Sequence, residues 1–207
     1  MVRKVAVSSF LGNFIEWFDY ASYSYFATTI ALVFFPTDNH TVAMLQTFGV
    51  FALSFILRPI GALFWGSYGD KKGRKAALAH SIMFMSGASF LIGCLPSYSV
   101  IGVGAPILLL LLRMVQGFSA SGEYAGAATF LGEYAPTSKR GIYCSLIPAS
   151  TAIGLLAGST LATLMATNMN SSAMVGWGWR VPFLLAGPLG LIVLYIRAKL
   201  ADSPVYQ

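Results

Sequence analysis

Five ionisable side chains interrupt long apolar runs of this sequence: Glu16, Asp19, Arg58, Arg113 and Glu123. An ionisable group in apolar surroundings is costly and is a functional candidate by default. Desolvation favours the protonated form of a carboxyl, and a neighbouring guanidinium favours the ionised one. A carboxyl under both influences can take up a proton on one side of a barrier and release it on the other. The competing reading is a set of internal ion pairs that lock elements together. At about 1.5 Å per helical residue, Glu16 and Asp19 stand roughly 15 to 20 Å along the first run, with Arg113 at a similar height. Arg58 and Glu123 share a second height, roughly 12 Å from the same end. The heights allow Glu16 or Asp19 to pair with Arg113, and Arg58 with Glu123. Helical spacing adds neutral partners: Asn13, Glu16, Tyr20 and Tyr23 share one face, with Asp19 about 60° away. Arg113, Gln116, Ala120 and Glu123 share another.

The elements that carry these groups follow from composition. Of 207 residues, 57% are hydrophobic and 10% charged, and mean hydropathy is +0.71. Soluble domains carry about 25% charged residues, so most of this surface must face lipid. Six stretches approach the roughly 20 residues needed to cross a bilayer: 5–35, 44–67, 76–95, 105–131, 142–166 and 181–200. All are expected to be helices, because lipid offers an open strand no partner. Asn13, Glu16 and Asp19 exclude a signal peptide, which needs an uninterrupted apolar core. Pro59, Pro148, Pro182 and Pro188 mark candidate kinks. Gly154 and Gly158 have the four-residue spacing of close helix packing.

The net charge of +6 is distributed for topology, not for nucleic acid. In a six-span arrangement Arg3, Lys4, Lys71, Lys72, Arg74, Lys75, Lys139, Arg140, Arg197 and Lys199 fall on one side. The opposite connections carry no Lys or Arg, and Arg180 stands at their border. This bias places both termini and the 68–75 connection in the cytoplasm and the chain in the cell (inner) membrane. Cys94 and Cys144 fall near opposite faces, too far apart for a disulfide. His40 and His80 have no metal-ligand neighbours. There is no metal cluster, nucleotide loop or nucleophile–base constellation, so neither an enzyme nor a cofactor is expected.

Residues 66–75 read GSYGDKKGRK. A basic cytoplasmic turn accounts for the cations, with Gly69 and Gly73 as helix breakers. It does not account for Asp70 or for glycines at fixed offsets from it. The stretch resembles the loop 2–3 signature of the major facilitator superfamily, filled by Gly66, Asp70, Lys71, Gly73, Arg74 and Lys75. RMVQGFSASGEYAGA (113–127) resembles the fourth-helix signature of its metabolite:proton symporters. GNFIEWFDY, LRPIGALFWG, GEYAPTSKRG and GWGWRVPF are similar to the same group, which includes proline/betaine, α-ketoglutarate, citrate and shikimate transporters.

That resemblance implies a fold of twelve helices in two six-helix halves around a central cavity. This chain would be the N-terminal half, an all-α membrane bundle requiring a C-terminal six-helix partner. It also implies that helices 1 and 4 line the cavity. On that basis the function expected is proton-coupled symport of a small zwitterionic osmolyte or organic acid. Glu16 or Asp19 is the expected titrating group, with Arg113 as modulator and Glu123 as the alternative acid. Asn13, Tyr20, Tyr23, Arg58 and Gln116 are candidates for the solute cavity, and the aromatics could meet a quaternary ammonium. Ser159 stands where antiporters of the superfamily carry a proline, which favours symport. Asp70 and Arg74 are expected in a charge network with Glu133. The competing reading is a truncated or half-subunit chain that does not transport by itself.

Overall fold

Every regular element among the described residues is a helix, and the helices assemble into six rods. The structure, a computed structural model, describes residues 2–200. Met1 and 201–207, the termini that the charge bias assigns to the cytoplasm, lie outside the described residues.

The first rod is α1 (Val2–Tyr25) and α2 (Ala27–Phe34). Phe26 joins them: its amide donates to the Ser22 carbonyl and its carbonyl accepts from Ile30. The second is α3 (His40–Ile56) and α4 (Arg58–Lys72). Asn39 caps α3, its side chain accepting from the amides of Thr41 and Val42. The break at Leu57 has a covalent cause, because Pro59 has no amide proton for the preceding turn. A similar break at Ser145 separates α8 (Arg140–Cys144) from α9 (Leu146–Asn168), ahead of Pro148. The third and fourth rods are α5 (Arg74–Cys94) and α7 (Gly104–Tyr134), joined past the short α6 (Tyr98–Ile101). A short α10 (Ser171–Gly176) leads to α11 (Val181–Ala198). Pro182 sits in the first turn of α11 and Pro188 inside it, and neither interrupts the helix.

The turn between α4 and α5 is tighter than expected. Helix α4 runs through Gly66, Asp70 and Lys71, and Gly69 does not break it. Gly69 instead supplies the carbonyl that accepts from Gly73 at 3.0 Å. Gly73 alone makes the turn, at φ 97° and ψ 145°. Only glycine adopts this backbone readily.

Among the described residues, five rods are long and apolar enough to cross a membrane: His40–Lys72, Arg74–Cys94, Gly104–Tyr134, Thr137–Asn168 and Gly178–Ala198. The first rod is long enough, about 50 Å at 1.5 Å per residue, but is too polar to meet that measure. Its position explains why. Helix α1 packs against α9, α11, α7 and α5, so its polar side chains meet protein instead of lipid. The seam with α9 is close. A Cβ at Gly154 would press on the Phe14 carbonyl at 2.8 Å, and one at Gly158 on Ala21 Cβ at 2.6 Å. The expected close packing of this glycine pair is therefore present.

The core lies in three layers. Val5, Leu78, Phe130, Leu131 and Ile147 pack at the end carrying the basic residues. Ile15, Tyr20, Ile82, Ala186 and Val193 form the middle. Phe34, Ile92, Leu109, Trp179 and Phe183 fill the opposite end. The ionisable side chains sit between these layers.

Candidate functional site

Three ion pairs line up along α1, and each draws its arginine from a different rod. Asp19 meets Arg113 of α7 at 2.8 Å, with the guanidinium 0% and the carboxyl 4% exposed. Glu16 meets Arg58 of α4 at 2.7 Å. Glu123 of α7 meets Arg197 of α11 in a two-bond fork beside Gly12. A charge taken into an apolar interior loses hydration worth several kcal/mol, so burial requires a partner and good geometry.

Of the pairings that helix heights allowed, Asp19 with Arg113 is present. Arg58 with Glu123 is not: Arg58 goes to Glu16 and Glu123 to Arg197. Height is one coordinate, and pairing also depends on how each helix is rotated about its axis. The break before Pro59 starts a new helix at Arg58, and the side chain reaches α1 from there.

The three pairs differ in their surroundings. Arg113 stacks over the Tyr23 ring, 3.7 Å from its centroid, with Phe51 and Phe183 at 5.8 and 5.7 Å. Its Nη1 donates to Asp19 Oδ2. Among the described residues, Arg113 Nε and Nη2, Asp19 Oδ1 and Gln116 Oε1 are buried without a hydrogen-bond partner. Arg58 is 27% exposed and is the only one of the three arginines that reaches the bundle surface. It donates to Glu16 and to the Tyr20 hydroxyl, and lies over the rings of Phe55 and Tyr20 at 4.6 and 5.0 Å. Glu16 Oε2 is buried and unpartnered among the described residues.

The neutral candidates are largely engaged inside the bundle. Asn13 Nδ2 lies within hydrogen-bond distance of the Ile147 carbonyl, Ser150 and Thr151, tying α1 to α9. The Tyr23 hydroxyl donates to the Thr47 carbonyl at 2.9 Å, and Gln116 Nε2 donates to Ser89. The polar faces of α1 and α7 thus point at neighbouring helices of this same bundle.

The turn signature forms the expected charge network. Arg74 lies 3.1 Å from Asp70 and 3.9 Å from Glu133. Lys75 donates to the Ala198 carbonyl at the end of α11, at 3.0 Å.

Sequence reasoning missed one buried residue. Arg197 counted among the basic residues that set topology, yet it is buried inside the bundle. A signal was available. Phe183, Ala186, Gly190, Val193 and Arg197 recur at three- and four-residue steps, and all five are buried on one face. A charge continuing such a stripe faces inward.

A polar central helix, apolar surrounding rods and interior carboxylate–guanidinium pairs define a multi-pass membrane protein. Its fold is an N-terminal half of the major facilitator fold. The chain superimposes on the inward-open xylose transporter XylE of Escherichia coli with a TM-score of 0.86 at 18% identity, covering 100% of this chain and 50% of that one. A partially occluded inward-open form of XylE gives 0.88 at 18% identity, covering 99% and 49%. The profile of the family described as "Sugar (and other) transporter" matches residues 4–207, and the chain belongs to that family. The proline/betaine transporter of Salmonella typhimurium is 43% identical over 206 residues, covering 100% of this chain and 41% of the relative. The glycine betaine/proline/ectoine/pipecolic acid transporter OusA of Dickeya dadantii is 44% identical with the same coverage. This chain therefore spans about two fifths of the length of these curated relatives. They are transporters, not enzymes.

Proposed function

We propose that this chain forms half of a proton-coupled symporter for a small zwitterionic osmolyte, completed by a second six-helix half. The observation that carries the coupling is the unused hydrogen-bonding capacity of the Asp19–Arg113 pair. A proton on the free Asp19 Oδ1 leaves the Oδ2 bond to Arg113 geometrically intact, so the pair can change charge without coming apart. Glu16 is the second coupling acid, with Glu123 as a further candidate. Arg58, 27% exposed, meets the buried Glu16 among aromatic rings. That combination suits both ends of a zwitterion: a guanidinium for a carboxylate, and a carboxylate with ring faces for an ammonium. The names of the curated relatives support the zwitterion over an organic acid. Their greater length supports the need for a second half. Both termini lie in the cytoplasm and the protein in the cell (inner) membrane, in keeping with the one-sided basic residues.

The test is uptake into proteoliposomes under an imposed pH gradient. The chain is joined to the C-terminal half of the Escherichia coli proline/betaine transporter, and radiolabelled proline, betaine, α-ketoglutarate, citrate and shikimate are compared. Proline or betaine should accumulate, and accumulation should collapse when the gradient is dissipated. Accumulation of only the organic acids, or accumulation indifferent to the gradient, would contradict the proposal. Orientation is read separately by labelling Ser67→Cys and Asn39→Cys, both exposed positions, in a background lacking Cys94 and Cys144. Labelling at position 67 from outside intact cells would reverse the topology.

A further inference from the structure

Arg197 of α11 is buried against three other rods at once. Its Nη1 donates to Glu123 Oε2 at 3.0 Å and to the Leu78 carbonyl, and its Nε to the Ser8 hydroxyl at 3.2 Å. Its Nη2 completes the fork on Glu123 Oε1. Ser81 adds a bond to Glu123 Oε2 at 3.2 Å. Gly12 of α1 backs directly onto the fork, and a Cβ there would collide with both Glu123 and Arg197. One residue beyond Arg197, the Ala198 carbonyl receives Lys75, which follows Arg74 of the turn signature. The chain of contacts is continuous: Glu133 and Asp70 to Arg74, then Lys75 to Ala198, then Arg197 to Glu123 and α1.

We propose that Arg197 is a positioning residue that fixes the Glu123 carboxylate inside the bundle and mechanically joins it to the α4–α5 turn. A shift of the turn carries the end of α11 with it, and the fork transmits that shift to Glu123 and Gly12. Release of Glu123 acts in the opposite direction and loosens the turn. The fork makes this specific to arginine: a lysine keeps the charge but cannot make two parallel bonds to one carboxylate. Interpreting the link as part of a transport cycle rests on the proposed symport, but the link itself can be measured without any transport.

The test uses the chain in membranes, lacking Cys94 and Cys144, with one buried probe at a time. Ala77→Cys lies in α5 next to the turn, with Ala77 Cβ 3.4 Å from where a Gly69 Cβ would stand. Ala105→Cys is fully buried at the opposite end of the bundle. Alkylation rates are compared between the parent and Arg197→Met, Arg197→Lys, Gly12→Ala and the double variant Glu123→Gln/Arg197→Met. The expected result is a rise of about five- to tenfold at position 77, the lower range for coupled sites, with no change at position 105. Arg197→Lys should fall between the parent and Arg197→Met. If Arg197→Met does not insert, Gly12→Ala should still raise the rate at 77, because it displaces the fork while keeping both charges. The double variant should do the same without leaving a buried unpaired charge. Equal increases at 77 and 105 would mean general loosening and would overturn the proposal. So would an unchanged rate at 77 in a folded Arg197→Met, Gly12→Ala or double variant.

Discussion

Glu123 and Asp19 each meet an arginine in the bundle interior, and none of the four side chains is more than 4% exposed. Glu123 is held by a fork from Arg197 and by Ser81, while Arg197 also bonds Leu78 and Ser8. Asp19 is held by a single bond, and its free oxygen and two nitrogens of Arg113 have no hydrogen-bond partner among the described residues. The chemistry is the same at the two places and the degree of satisfaction is not. A proton added at Glu123 weakens a two-bond fork, whereas one added at Asp19 can use an oxygen that is otherwise idle. Buried polar groups left unbonded each cost about 1–3 kcal/mol. The Asp19 region is therefore the less fully satisfied of the two. The Glu123 region is built as an anchor.

The comparison can be broken most directly by removing each arginine. Arg197→Met strands a buried carboxylate and several partners, so the expected loss of stability is about 3–5 kcal/mol, read by thermal unfolding in detergent. Glu123→Gln/Arg197→Met should recover much of it. Arg113→Met should cost less, because fewer bonds are lost. A larger loss at Arg113 than at Arg197 would invert the ranking of the two pairs.

Glu16→Gln sharpens the comparison at an intermediate level. Arg58 is 27% exposed, so water can solvate it when the carboxylate is gone. The expected cost is at most about 1.5–3 kcal/mol, the range for a hydrogen bond to a charged group. A cost as large as that of Arg197→Met would mean that the Glu16 pair is sealed from solvent in the membrane.

The smallest effect on stability should come from Asp70→Asn. That carboxylate is 66% exposed, and pairs of this kind contribute roughly 0–1 kcal/mol. Unfolding should hardly change while transport by the completed protein falls, as the family resemblance implies. Normal transport by Asp70→Asn would restrict the motif to setting topology.

Much of this was legible in the residues themselves. Hydropathy marks five of the six rods among the described residues, because lipid demands about 20 apolar residues per crossing; the first is long enough but more polar. The one-sided Lys and Arg fit a six-span bundle, and GSYGDKKGRK matched a turn whose Gly73 adopts a positive φ. Pairing of the charges was less legible. Glu16 and Asp19 lie at nearly one height, and only the rotation and crossing of α4 and α7 decide which arginine each receives. Arg197 was hidden for a different reason. Near a helix end a basic residue satisfies the topology rule whether it faces water or protein, and only the small and apolar stripe from Phe183 onward distinguishes the two. The neutral residues on the α1 and α7 faces read as solute ligands because their spacing cannot show that Thr47, Ser89 and α9 already accept their hydrogen bonds.

The measurement that bears most directly on the coupling role of Asp19 compares two transport modes of the completed protein in proteoliposomes. One is accumulation driven by a pH gradient; the other is exchange of labelled for unlabelled solute at equal concentrations. Exchange requires no net proton release, so Asp19→Asn should retain it while losing accumulation, and Glu16→Gln should show the same loss if both acids couple. Wild-type accumulation in both variants would contradict the account and transfer the coupling role to Glu123.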